Sequence, residues 1–189
     1  MRGIERRIAA GVDPNVASVA SLFVSRWDVA AKDKVSDRLR NRLGIAMAKR
    51  TYKAYRDLLA SPRWRKLASS AARPQRLLWA STGTKDAQAS ETLYIEALAA
   101  PDTINTMPEK TLHAFAEHGR IKGVLPIDGG DAEDVLAEFT REGINDETLA
   151  ADLQSEGTQS FNNSWNDLLA CIASKSALVK NKSDQAGRK

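Results

Sequence analysis

The sequence predicts an α/β fold built on a parallel sheet, and three features lead there. Short apolar runs too compact for a helix alternate with amphipathic stretches at helical spacing. Turn residues stand at most junctions. The order is helix, strand, helix, strand, helix, strand, helix. The clearest run is Val16-Ala17-Ser18-Val19-Ala20-Ser21-Leu22-Phe23-Val24-Ser25, which ends abruptly in Arg26-Trp27-Asp28. It has no helical polar face and reads as a strand buried on both sides, the kind that parallel sheets place beneath helices. Arg26 then stands just past the C-terminal end of a parallel strand. Such folds gather their ligand groups there, and the planar fork of an arginine suits a phosphate.

Each element has its own local signal. Ile4 to Ala10 reads as the end of a helix stopped by Gly11, and Asp13-Pro14-Asn15 as the turn into the first strand. From Trp27 to about Leu59, apolar residues including Val35, Leu39, Leu43, Tyr52 and Tyr55 recur at helical spacing among charges. They predict one long amphipathic helix, or two joined near Gly44. Ser61 suits an N-cap with Pro62 at the first helical position, opening a short helix to about Ala71. Arg73-Pro74-Gln75 breaks it and leads to a strand from Arg76 to Ser81.

Pro101-Asp102 is the turn into a third strand that contains Asn105. Pro108 and Glu109 open a helix that reaches His118 and is ended by Gly119. Ile121 to Asp131 is a glycine-containing loop, and Asp131 caps a helix from Ala132 to Glu142. Asn145-Asp146 introduces another short helix, which Gly157 separates from a final amphipathic helix ending near Lys175. Residues 1–175 are expected to form one domain portion and 176–189 a disordered tail rich in Lys, Ser, Asp and Gly.

Composition narrows the classes. The 189 residues are 42% hydrophobic, enough for a sizeable core, and carry 28 basic against 24 acidic groups. Arg38, Arg40, Arg42, Lys49, Arg50 and Lys53 make a basic helix face that is read as solvated; no interleaved aromatics or recognisable module point to nucleic acid. The single Cys171 excludes an intramolecular disulfide and is read as a buried, inert thiol. His113 and His118 have no metal-ligand spacing, so no metal is expected. No apolar run approaches the roughly 18 residues of a membrane span, and no apolar signal core follows the basic N-terminus. A cytoplasmic location is the expectation.

Four blocks in order carry a resemblance to a known family. Ser18-Val19-Ala20-Ser21-Leu22-Phe23-Val24-Ser25-Arg26-Trp27-Asp28 resembles the sixth barrel strand and following turn of transaldolases. Leu77-Leu78-Trp79-Ala80-Ser81-Thr82-Gly83-Thr84-Lys85 resembles the seventh strand and its loop, and Pro101 to Glu109 the eighth. Glu91 to Ala99 resembles the short helical segment before that last strand. Glu156-Gly157 with Ser160-Phe161, Ser164-Trp165 and Leu168-Leu169-Ala170 is similar to the closing helix. The resemblance implies the C-terminal part of a TIM (β/α)8 barrel, about three parallel strands with covering helices, plus C-terminal helices.

By that resemblance Arg26 binds the sugar phosphate, and Ser81 lies beside a second phosphate contact. Many members place an arginine two residues after that serine; here Lys85 is the candidate substitute, as a point charge without a fork. Ser21 matches a serine near the reactive lysine, and Phe23 an aromatic lining the pocket. Asn105 is a further candidate pocket residue, with a turn or core hydrogen bond as its alternative. The reaction implied moves a dihydroxyacetone unit between sugar phosphates through a lysine Schiff base, without a cofactor. Its substrates would be fructose 6-phosphate, sedoheptulose 7-phosphate, erythrose 4-phosphate and glyceraldehyde 3-phosphate.

The Schiff-base lysine is expected upstream of residue 1, with its assisting carboxylates, so no catalytic residue is assigned within the chain. No lysine here occupies an apolar strand interior where desolvation would make it a nucleophile. The missing N-terminal half is a candidate partner. Open sheet edges also invite a homo-oligomer, since such barrels need about 250 residues. Two rival readings are a non-catalytic half-barrel interaction module and a fragment of a related Schiff-base aldolase.

Overall fold

The computed structural model describes residues 1–186, with side chains through residue 178. The chain divides into two compact units, Met1–Asp146 and Glu147–Lys189. The first is organised by three parallel strands, β1 (Val19–Phe23), β2 (Arg76–Ala80) and β3 (Thr103–Asn105), in the order β1-β2-β3. Val19 pairs with Arg76 and Phe23 with Ala80, while Leu77 pairs with Thr103 and Trp79 with Asn105. Parallel neighbours joined in sequence by helical crossovers are the repeating unit of a (β/α)8 wall, so the fold agrees with part of such a barrel.

Eight α-helices accompany the strands among the described residues: α1 (Arg2–Ala9), α2 (Val24–Ala31), α3 (Leu43–Ala60), α4 (Pro62–Ala68), α5 (Leu93–Ala97), α6 (Glu109–His118), α7 (Ala132–Arg141) and α8 (Asp146–Ala186). The stretch from Trp27 to Leu59 is two helices. Their break falls at residues 32–42, where a 3-10 turn, Asp37–Leu39, and Asn41 in the left-handed region (φ 60°) turn the chain back. Gly44 lies inside α3, and its role is close approach. A Cβ there would stand 2.5 Å from the Val24 carbonyl oxygen and 2.6 Å from Asp28 Oδ2. Ser61 caps α4 as its sequence demands, its Oγ accepting the Trp64 amide at 3.2 Å with Pro62 at the first turn.

The core lies on one face of the sheet. Val24, Ala48, Tyr52, Leu77, Trp79, Tyr94 and Leu98 pack together there, and the Trp79 indole donates to the Leu98 carbonyl at 3.1 Å. The expectation that the first strand is buried on both sides does not hold within this chain. Val19, Ala20 and Ser21 are exposed, and β1 has a strand on one edge only.

Four residues of the basic face form an ion-pair seam to α7 and the residues flanking it, while Arg40 and Lys53 pair locally with Asp37 and Asp57. Arg50 binds Glu133 through two contacts of 2.7 and 2.6 Å and also pairs with Asp146, Lys49 meets Asp131 at 2.5 Å, and Arg38 and Arg42 share Glu138 at 3.0 and 3.4 Å. Asp131 therefore precedes α7 without capping it, since its carboxylate is turned to Lys49. Gly119 ends α6 at an ordinary φ of −64°, and the Phe115 ring occupies the space of a Cβ, at 2.1 Å.

The second unit is helix α8. Gly157 does not interrupt it; a lone glycine costs a helix only about 1 kcal/mol against alanine. The segment read as a tail from Ser176 is helical as far as Ala186. Residues 187–189 lie outside the described residues. Cys171 is exposed on this helix rather than buried. No described helix is long and apolar enough to cross a membrane.

Candidate functional site

The three strands point their C-terminal ends the same way, and side chains stitch those ends together. Ser25 Oγ and Ser81 Oγ share a hydrogen bond of 2.7 Å, while the Ser25 amide donates to the Ser81 carbonyl at 3.1 Å. Ser81 sits at φ 56°, an uncommon conformation for a side-chain-bearing residue, and these two bonds hold it there. Thr82 is fully buried and donates to Asn105 Oδ1 at 2.8 Å. The Thr106 amide and hydroxyl both donate to the Trp79 carbonyl. The ends of β1, β2 and β3 thus form one hydrogen-bonded ledge.

Arg26 lies in the first turn of α2 on that ledge. It is half-buried, and its guanidinium carbon stands 4.4 Å from the centroid of the Phe23 ring. It forms no ion pair among the described residues, so its five donors are left for another acceptor. The nearby acid, Asp28, is spent elsewhere. Its two oxygens accept from the Leu43 amide at 2.9 Å, the Gly44 amide at 3.2 Å and the Tyr94 hydroxyl at 2.7 Å. Burial pushes the Asp28 carboxyl above its ordinary range, against the pull of these donors. Burial and then the Asp28 charge raise the Tyr94 hydroxyl in turn.

The remaining candidates distribute over two faces. Ala20 and Leu22 share the helix-covered face with their partners Leu77 and Trp79. Ser21 and Phe23 alternate onto the opposite, open face. Ser21 is exposed there and Phe23 half-buried beneath Arg26. Asn105 pairs with Trp79 in the register and falls on the covered face, where it accepts the Thr82 hydrogen bond. It is not brought to Ser21 and Phe23. Lys85 is exposed in the loop after β2 and lines a polar cleft of about 280 Å³ with Ser25, Asp28, Lys32, Arg40 and Tyr94. Arg26 is not among the residues lining that cleft.

Sequence reasoning passed over Ser25, Thr82 and the Asp28–Tyr94 pair. Ser25 and Asp28 flank Arg26 in a block already singled out, and an acid ending an apolar run is itself the signal for a buried polar partner. Histidines 113 and 118 are exposed on α6, and no group of residues able to hold a metal occurs among the described residues. No lysine lies on any of the three strands.

Comparison with known proteins bears on the same region. Residues 5–172 match the family described as Transaldolase/Fructose-6-phosphate aldolase. The chain is 44% identical to a transaldolase of Parafrankia sp. over 181 residues, 91% of this chain and 49% of that protein. It is 44% identical to one of Frankia alni over 182 residues, 92% and 49% of the two, and 40% identical to one of Neisseria meningitidis over 170 residues, 89% and 48%. The chain spans about half the length of these relatives. Four blocks of resemblance, a parallel sheet with an arginine at its ledge and a family match across most of the sequence agree, and the chain belongs to the transaldolase/fructose-6-phosphate aldolase family.

Proposed function

We propose that this chain supplies the phosphate-gripping side of a transaldolase barrel. The complete barrel moves a dihydroxyacetone unit between sugar phosphates such as fructose 6-phosphate, sedoheptulose 7-phosphate, erythrose 4-phosphate and glyceraldehyde 3-phosphate. The observation that carries this reading is Arg26, half-buried on the strand-end ledge, stacked on Phe23 and without a carboxylate. A guanidinium held in this way offers two parallel N–H groups to a phosphate. Ser81 narrows the ledge beside it, and Lys85 adds a positive charge to the neighbouring loop. Ser21 and Phe23, on the open face, line the sugar end of the same space.

The covalent step requires a lysine imine that accepts the electron pair released as the carbon–carbon bond breaks. That lysine belongs to the part of the barrel corresponding to the rest of the relatives, and no cofactor enters. The name transaldolase on the relatives at 40–44% identity favours transfer over a simple aldol cleavage.

Calorimetric titration of the chain with fructose 6-phosphate tests the grip. Binding is expected with the native chain, weakened roughly tenfold or more in Arg26→Ala, since a charged hydrogen bond contributes about 1.5–3 kcal/mol. Equal affinity for the two proteins would refute the role of Arg26. Borohydride reduction with the same sugar is expected to leave the chain unmodified; a covalent adduct would place the imine-forming lysine within it.

A further inference from the structure

The loop after β2 carries Lys85, and its shape is fixed from within. The Thr84 hydroxyl donates to the Ser90 carbonyl at 2.7 Å, the Ala89 amide to the Asp86 carbonyl at 3.2 Å and the Gln88 amide to Asp86 Oδ1 at 2.9 Å. The last of these is an Asx turn, in which a side chain closes its own loop. A further bond joins this loop to the turn before α3, across the polar cleft of about 280 Å³. Asn41 Nδ2 donates to Asp86 Oδ2 at 2.7 Å, between residues 45 positions apart. Asn41 stands at φ 60°, a conformation that asparagine tolerates better than most side chains.

The segment that carries Asn41 is itself anchored. The Leu43 and Gly44 amides, two and three residues on, donate to Asp28 of α2, the helix that bears Arg26. Residues 41–44 therefore bridge the Arg26 helix and the Lys85 loop. The arrangement has an electrostatic side as well. Asp86 follows Lys85 in the chain, and Lys32 and Arg40 line the same cleft. With one oxygen held by the Gln88 amide and the other by Asn41, Asp86 forms no ion pair among the described residues, and neither does Lys85. The Gln88 amide and then Asn41 hold the Asp86 carboxyl below its ordinary range, so it stays charged.

We infer that Asn41 is a positioning residue for the phosphate grip: by occupying Asp86 and tying its loop to the α2 side, it leaves the Lys85 ammonium unpaired and held beside the ledge. Without the Asn41 amide, the freed Asp86 oxygen is open to Lys85, Lys32 or Arg40, and the positive charge offered to a phosphate falls. This inference rests on the phosphate reading above and adds to it a residue that touches no ligand.

Glycine adopts a φ of 60° freely, so Asn41→Gly removes the side chain without straining the turn. The full chain is titrated with fructose 6-phosphate at low salt, where exposed charges are least screened. Asn41→Gly should bind about threefold more weakly than the native chain, the scale of one exposed charge. Lys85→Met should weaken binding by a similar factor, and Asn41→Gly added to Lys85→Met should change nothing more, because the two act through one charge. Asn41→Asp sets two carboxylates against each other and should weaken binding too. Adding Asp86→Asn to Asn41→Asp restores the bond with donor and acceptor exchanged, and affinity should return.

Equal affinity of Asn41→Gly and the native chain, full additivity with Lys85→Met, or no recovery in the exchanged pair would each overturn the inference. Amide hydrogen exchange without sugar reads the latch separately: residues 84–90 should exchange faster in Asn41→Gly and at the native rate in the exchanged pair. Unchanged exchange in Asn41→Gly would overturn it as well. Arg26→Ala tells the two failures apart. Binding that Arg26→Ala weakens and Asn41→Gly does not would sink the latch and spare the grip. A native chain that binds no fructose 6-phosphate would sink the grip and the role of Asn41 with it, even where exchange shows the bond.

Discussion

Gly44→Ala reverses the usual effect of replacing a helical glycine. Alanine normally favours a helix over glycine by about 1 kcal/mol. At Gly44 the added Cβ would lie 2.5 Å from the Val24 carbonyl oxygen and 2.6 Å from Asp28 Oδ2, where ordinary contact begins at 3.4 Å. Neither atom is free to yield: one is backbone, and the other is fixed by hydrogen bonds. Helix α3 must therefore withdraw from α2 by about 0.9 Å. That movement stretches the Leu43 and Gly44 amide bonds to Asp28, now 2.9 and 3.2 Å, beyond useful range.

Losing two hydrogen bonds to a buried carboxylate costs about 3 kcal/mol or more, so the net destabilisation is about 2 kcal/mol after the propensity gain. Urea titration read by circular dichroism measures it as a lower midpoint at unchanged slope. Gly3→Ala, in α1 with no atom within 4 Å of the new Cβ, is the control and should hold or slightly raise the midpoint. A Gly44→Ala chain as stable as the native one would refute the close-packing argument.

Two further outcomes follow from the same geometry. The Asp28 carboxyl is raised in the folded state, so its contribution is fully present below the ordinary carboxylate range and is lost as pH rises through the raised value. Asp28→Asn lacks that titration, so the stability advantage of the native chain over the variant should shrink as pH rises from acid. A growing advantage in urea titrations would contradict it. Ser61→Ala removes the cap that accepts the Trp64 amide and should cost about 1 kcal/mol in the same assay, with Ser61→Asp retaining most of it.

The sequence located most elements well where local chemistry decides. Ser61-Pro62 marks a helix start because a hydroxyl and a fixed φ act on the same turn. The second and third strands sit where short apolar runs meet turn residues, and the observed Arg76–Ala80 differs from the expected strand by one residue. What escaped depends on distant partners. The solvated reading of Arg38, Arg42, Lys49 and Arg50 gave way to ion pairs because the acids lie on α7 or just before it, about 80 to 100 positions later in the chain. Gly157 and Gly119 were both read as helix stops; a glycine penalty of about 1 kcal/mol cannot break a long helix, whereas the Phe115 ring excludes any side chain at Gly119. The apolar composition of the first strand predicts burial on both sides, whereas β1 pairs along one edge only and Val19, Ala20 and Ser21 are exposed.

The ledge was legible only in part, and the reason lies in helix geometry. Arg26 and Asp28 are two residues apart on α2, so they project about 200° apart around its axis. A salt bridge between them is the tempting reading of adjacent opposite charges, and that angle forbids it. Burying Asp28 against α3 and Tyr94 fixes the rotation of α2, and the same rotation turns Arg26 away from the core and onto Phe23. The acid thus positions the arginine without touching it. If Arg26 grips a phosphate as proposed, Asp28→Ala should weaken fructose 6-phosphate binding in the calorimetric titration through orientation alone, since Asp28 holds α2 without touching Arg26.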